Sequence, residues 1–231
     1  MSDVETKVKP DYSELASYTG RLFRDNFGKG PQSVYVSIEH PVVTIYLRDF
    51  LAPMERVLDK QKNKMKIEET RDLLMQELIP DIKAQVRIML ETDVESVYYD
   101  WSIDNRSGLI ICILKDAEDV PFPDYEGKER IHEQINQLSI IAEKAPEEIA
   151  SSHLNDRTLI IRRTGILVEI EKEMIRSGFS EQLRLAKRRL EKRLLETSVF
   201  ETILESSVVD RFVDWDFDKD RSYIVLILKP R

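Results

Sequence analysis

Five cations crowd one short stretch of the chain. Arg184, Arg188 and Lys192 recur at four-residue steps, with Lys187 and Arg189 beside them. On a helix that spacing stacks the three along one face. Such a row could hold a lipid headgroup, an RNA phosphate or an acidic partner. At about 100° per residue it falls opposite Leu183, Ala186, Leu190 and Leu194, an apolar stripe of core width. The spacing therefore predicts a solvent-facing basic ridge (Arg184, Lys187, Arg188, Lys192) as a candidate anion or partner surface, with a merely solvated outer face as the bland alternative.

Two Asp-Trp pairs form the second constellation. Tyr99-Asp100-Trp101-Ser102-Ile103-Asp104 recurs as Val213-Asp214-Trp215-Asp216-Phe217-Asp218, 114 positions later. Two such pairs could flank a pocket. Equally, each Trp could close a sheet edge while its Asp accepts a backbone hydrogen bond, since a large buried ring would itself explain the repetition. Gly28-Lys29-Gly30-Pro31 looks at first like a phosphate loop. Such a loop, however, runs from strand to helix, whereas here a helical pattern precedes a strand pattern and Pro31 has no amide hydrogen. A helix-ending turn is the better reading. Three histidines, His40, His132 and His153, have no third ligand or nucleophile at a useful spacing. Cys112 sits in an apolar strand as a buried thiol. No catalytic residue, metal or cofactor is nominated, and the expectation is a protein that is not an enzyme.

These residues must be positioned by a duplicated unit. Besides the Asp-Trp pairs, Leu109–Lys115 matches Tyr223–Lys229, Lys29-Gly30-Pro31 matches Lys144-Ala145-Pro146, and Phe50-Leu51 with Glu55 matches Ile166-Leu167 with Glu171. Ordered matches at offsets of 114 to 116 mark a tandem repeat. The expected boundaries are 1–117 for the first copy, 118–127 for an acidic, Pro-containing linker, extended and exposed, and 128–231 for a diverged second copy. Each copy reads helix, hairpin, helices, hairpin: a small antiparallel sheet covered by helices, in an α+β fold. The last strand of each copy is apolar on both faces, which predicts helices on one side and a second layer on the other. The copies are accordingly expected to pack about a pseudo-two-fold axis as an intramolecular pseudodimer, with a further homodimer left open. In the long helix, Leu74, Leu78, Ile82, Val86 and Met89 form the core stripe. Both copies are expected to bend or break near Pro80 and its equivalent, with two extra residues in the second copy there.

Composition narrows the class. The chain has 231 residues, 42% of them apolar and 34% charged, with a net charge of −8. It is a globular composition without a strong nucleic-acid signal. The longest apolar runs, Leu109–Leu114 and Tyr223–Leu228, fall far short of the ~20 residues of a membrane span, and residues 1–10 lack the apolar region of a signal peptide. The expected location is cytoplasmic.

The sequence also resembles a known family, that of MpsC, protein C of a bacterial membrane-potential-generating system. The resemblance runs through Asn26-Phe27-Gly28-Lys29-Gly30-Pro31-Gln32-Ser33-Val34-Tyr35-Val36, Thr44-Ile45-Tyr46-Leu47-Arg48 and Phe50-Leu51-Ala52-Pro53-Met54-Glu55. It continues through Arg71-Asp72-Leu73-Leu74, Leu78-Ile79-Pro80-Asp81-Ile82-Lys83 and Tyr98-Tyr99-Asp100-Trp101. Asp49 stands where the family pattern has glycine, and the second copy has Gly165 there. The resemblance implies a non-enzymatic accessory or regulatory protein beside a membrane cation-translocation or inorganic-carbon uptake system, at the inner membrane face, with a transport subunit or anionic membrane surface as partner. The alternative is a small-ligand or anion-binding sensor with its site between the copies.

Overall fold

The computed structural model describes residues 12–115 and 122–230. The first repeat comprises α1 (Ser13–Phe27), β1 (Ser33–Glu39), β2 (Val42–Arg48), α2 (Pro53–Lys60), α3 (Lys64–Leu90), β3 (Val94–Ser102) and β4 (Ser107–Leu114). The second comprises α4 (Lys128–Ala142), β5 (Glu148–Asn155), β6 (Thr158–Thr164), α5 (Glu169–Arg176), α6 (Ser180–Glu196), α7 (Phe200–Leu204), β7 (Val208–Asp216) and β8 (Arg221–Leu228). Each repeat folds into one antiparallel four-stranded sheet, in the orders β1-β2-β4-β3 and β5-β6-β8-β7. The architecture is α+β.

Alternation along β4 dictates the layers. Ile110, Cys112 and Leu114 point into a core shared with Leu15 and Phe23 of α1 and Ile67, Leu78 and Ile82 of α3. Leu109, Ile111 and Ile113 point the other way, into a core made with Ile160, Phe212, Tyr223, Val225 and Ile227 of the second repeat. The sheets therefore pack face to face with helices outside, and the two-faced strands sit where their apolar pattern requires. Tyr98 and Tyr223 meet edge-on at 4.6 Å in this inner layer.

The backbone repeats more faithfully than the sequence. Four pairs of left-handed residues correspond: Asp49 and Gly165 (φ 51° and 62°), Lys62 and Gly178 (58° and 84°), Glu91 and Glu205 (54° and 50°), and Arg106 and Asp220 (50° and 45°). Asp49 takes up this left-handed conformation in the first repeat, whereas in the second Gly165 meets it without a Cβ, which would strain the backbone and crowd the Glu147 side chain. Gly28, at φ 71°, caps the end of α1.

Three expectations are corrected. The helix runs unbroken through Pro80 in the first repeat, whereas the second stops at Glu196 and resumes at Phe200. The left-handed pairs show the offset falling from 116 to 114 across this region, so the second repeat is two residues shorter here, not longer. The connecting segment, expected to be exposed, is not so at Phe122, which packs against the inner layer beneath the Arg162 guanidinium, 5.3 Å from its ring. Residues 116–121, which include part of the expected linker, lie outside the described residues.

Candidate functional site

β3 and β7 are the edge strands that meet where the two sheets join. An edge strand presents unpaired N–H groups that need acceptors. Here each repeat supplies the other's. Asp100 Oδ2 accepts from the Val213 N–H at 2.9 Å, and Asp214 Oδ2 accepts from the Tyr99 N–H at 2.9 Å. Tyr99 and Val213 are equivalent residues, so the exchange is reciprocal, as a pseudo-two-fold axis demands. Asp100 also accepts from the Trp101 N–H at 2.7 Å.

Buried carboxylates need compensating charge, and α6 provides it. Arg188 Nε lies 3.0 Å from Asp100 Oδ1, and its Nη1 donates to Asp72 Oδ2 of α3 at 2.9 Å. Lys192 Nζ lies 2.8 Å from Asp100 Oδ2 and also donates to the Trp101 carbonyl. Arg184 pairs with Asp214 and donates to the Trp215 carbonyl at 3.0 Å. Burial works against the Arg188 charge, but Asp100 and Asp72 outweigh it and raise its pKa above the ordinary arginine value. Burial likewise raises the carboxyl of Asp72 against the pull of Arg188, and that of Glu68 against Lys192 and Arg188.

The basic ridge is thus turned inward. Arg188 is 0% exposed and Lys187 3%, while Arg184 and Lys192 are half-buried. The inward face of α6 is Leu183, Lys187, Arg188, Glu191 and Leu195, and Ala186 of the supposed core stripe is exposed. Hydropathy points to the wrong face because three of the five buried residues are charged. With an offset of 116 the face matches that of α3: Ile67 with Leu183, Arg71 with Lys187, Asp72 with Arg188, Met75 with Glu191. Aligning the two leucine stripes instead, with Leu78 against Leu190 and Ile82 against Leu194, gives an offset of 112 and is one turn out of register.

That register reveals a motif that the sequence reading misses. Glu55 sits at the start of α2, where its carboxylate accepts from the Ala52 N–H at 2.7 Å and from Arg71 at 2.7 and 2.8 Å. The Arg71 guanidinium stacks 4.9 Å from the Trp101 ring. In the second repeat Glu171 accepts from the Val168 N–H at 3.1 Å and from Lys187 at 2.8 Å, and Lys187 lies 5.6 Å from the Trp215 ring. Glu143 shares the same ammonium. A capping glutamate, a buried cation and a tryptophan therefore lock helix to sheet in both repeats. The match of Glu55 with Glu171 is visible in the sequence, and carrying its offset into the helix finds Arg71 and Lys187.

The repeats differ where the axis passes between α3 and α6. Trp101 Nε1 donates to Asp72 Oδ1 at 3.1 Å. Its counterpart Trp215 Nε1 has no partner among the described residues, because position 188 holds an arginine, which offers no acceptor. A second difference lies inside the second repeat, where Arg163 donates to Glu191 at 2.5 Å, Ser139 at 3.0 Å and Ser222 at 2.9 Å. The first repeat fills the equivalent positions with buried Leu47, Met75 and Phe23, and with Gly108.

At the opposite seam, Asn155 Nδ2 donates to Ser37 Oγ at 2.8 Å, linking β5 to β1. Beside it lies a groove of about 470 Å³, lined by Tyr35, Val36 and Tyr46 of the first repeat and Arg157, Thr158 and Ile227 of the second.

A protein-family model matches the chain twice, over residues 12–116 and 127–230. Its description is the Na⁺-translocating membrane potential-generating system protein MpsC. The chain belongs to the MpsC family. No curated protein and no solved structure matches it. The two MpsC matches coincide with the two sheets, so the family unit is the helix–hairpin–helices–hairpin fold, and this chain carries two. Asp100 of the first MpsC unit and Asp214 of the second each accept an amide of the other unit, Glu55 and Glu171 each hold a helix start and a buried cation, and Trp101 and Trp215 each face that cation. The MpsC name associates the chain with a Na⁺ system in a membrane. Among the described residues no helix is long and apolar enough to cross one, and no cluster of metal-ligating side chains occurs. Burial pushes the Cys112 thiol up to about 12, leaving it a protonated core residue.

Proposed function

We propose that this MpsC-family chain is a non-catalytic accessory or regulatory protein of a Na⁺-translocating membrane system, working as a preassembled adaptor at its inner face. The observation that carries the reading is the double family match together with the charge-paired seam: two family units are held as one body by Asp72 and Asp100 of the first against Arg188 and Lys192 of the second, while Arg184 pairs with Asp214, which accepts from the Tyr99 N–H across the seam. A body so fixed suits holding membrane subunits in a set arrangement. The anion-sensor alternative would draw on those same cations, and each is engaged by a carboxylate of the chain itself.

The test is cross-linking and co-purification from intact cells, followed by measurement of the membrane potential with a voltage-sensitive dye as external Na⁺ is stepped. The adaptor reading expects a membrane transport subunit in the purified complex and a smaller Na⁺-dependent potential in cells lacking the gene. An unchanged potential and no membrane partner would overturn it.

A further inference from the structure

The connecting segment occupies in the second repeat a place that, among the described residues, is an open groove in the first. Phe122 packs against the inner layer under Arg162, and the Lys128 ammonium donates to the carbonyls of Phe122 and Pro123, both at 3.3 Å. Tyr125 closes the segment: its hydroxyl lies 2.7 Å from Ser151 Oγ, and its ring stands edge-on to His153 at 4.8 Å. Strand register sets the correspondence between the repeats, since Ser151 pairs with Ile161 as Val36 pairs with Ile45. Ser151 and Arg162 thus answer to Val36 and Tyr46. Both of those line the 470 Å³ groove.

We infer that this groove is a docking site for an extended partner peptide carrying an aromatic residue followed by proline and an acid, the chemistry of Phe122-Pro123-Asp124. The groove's walls supply what such a segment needs. Tyr35 and Tyr46, whose rings stand 6.3 Å apart, offer an aromatic side chain the contact that Arg162 offers Phe122. Arg157 brings a guanidinium to the groove. Its equivalent in the first repeat is the uncharged Pro41, so this cation has no symmetric counterpart; Asp156 lines the groove beside it, and the guanidinium is the group placed to receive the acid that follows proline in the bound segment. The chain carries one similar run of its own, Lys9-Pro10-Asp11-Tyr12 against Phe122-Pro123-Asp124-Tyr125, and Tyr12 lines the groove. That run has a lysine in place of the aromatic, so it lacks the ring that the two tyrosines would receive, which favours a foreign segment over this one. The inference concerns a peptide site on the folded chain and stands whichever membrane system the chain serves.

The probe is a synthetic peptide copying residues 120–126, Val-Pro-Phe-Pro-Asp-Tyr-Glu, titrated into the full chain and followed by NMR chemical shifts and fluorescence anisotropy. Binding should perturb Tyr35, Val36 and Arg157, and replacing the peptide's Phe by Ala should weaken it tenfold or more. Tyr35→Ala should weaken it similarly; that side chain is 48% exposed, so the fold should be unaffected. Arg157→Glu should weaken the parent peptide at least fivefold and favour a version with Lys for Asp, a reversal that a loss of folding does not produce. Shifts confined to other residues, or affinities indifferent to both variants, would overturn the proposal. So would a tenfold gain in affinity on removing residues 1–11, which would make the chain's own segment the occupant. Conversion of dimers to monomers by the peptide would likewise overturn it, in favour of a second copy.

Discussion

Asp72 and Arg188 occupy the same position in the two repeats, and they bind each other. They lie 116 residues apart and 2.9 Å from carboxylate oxygen to guanidinium nitrogen. A residue on a two-fold axis meets its own copy, so in a dimer of identical units this position would place like against like. Duplication within one chain frees the two sites to differ. Here α3 has Glu68 and Asp72 where α6 has Arg184 and Arg188, so repulsion across the axis becomes attraction. The repeats have become complementary halves.

The cluster around Arg163 should behave as a replaceable polar core. Removing one partner, by Arg163→Leu or Glu191→Met, leaves a buried charge unmatched and should cost about 3–5 kcal/mol. The double variant restores the Leu47 and Met75 chemistry of the first repeat and should lose less than either single change. Urea unfolding of the three variants decides it. A double variant worse than both singles would mean that the serines and the ion pair are needed together.

The inner layer should carry much of the stability. Ile113 and Ile227 are both at most 3% exposed and face the opposite sheet. Ile113→Ala and Ile227→Ala should each cost about 2–5 kcal/mol. A loss below ~1 kcal/mol for either would contradict close packing between the sheets.

Acidification should stabilise the chain locally through Glu143. Burial pushes its carboxyl up to about 7 against the pull of Lys187, and the neighbouring Glu171 raises it further. Two carboxylates share one ammonium, so the folded state takes up a proton where the unfolded chain, with an ordinary value of 4.5, does not. A raised carboxyl pKa makes the folded state bind more protons, so this contribution to stability grows as pH falls from above 7 toward 4.5. Unfolding midpoints at about pH 5, 6, 7 and 8 should rise toward acid more in the natural chain than in Glu143→Gln. Parallel curves would show that Glu143 ionises normally.

Where polarity and burial agree, the sequence is readable. The tandem repeat, the hairpins and the two-faced strands Leu109–Leu114 and Tyr223–Leu228 follow from patterns in which apolar means buried. Helix α6 misleads because Lys187, Arg188 and Glu191 are buried by pairing with residues far along the chain, which no local periodicity reports. Phe122 reads as part of an exposed linker for the same kind of reason: its neighbours are Pro and acids, and its burial depends on a sheet surface that only the fold assembles.

The most direct test of complementary halves is a charge exchange across the axis. Asp72→Arg alone would set two arginines together, and Arg188→Asp alone would crowd Asp72 and Asp100. The double exchange restores an opposite-sign pair, brings the new guanidinium on α3 toward Asp214 and gives Trp215 Nε1 the acceptor it lacks. Unfolding free energies from urea titration of the four proteins close a double-mutant cycle. Pseudo-symmetric complementarity predicts two strongly destabilised singles and a double more stable than their sum by about 1–3 kcal/mol. Additivity within ~0.5 kcal/mol would contradict it, showing that the two positions do not face each other across the axis.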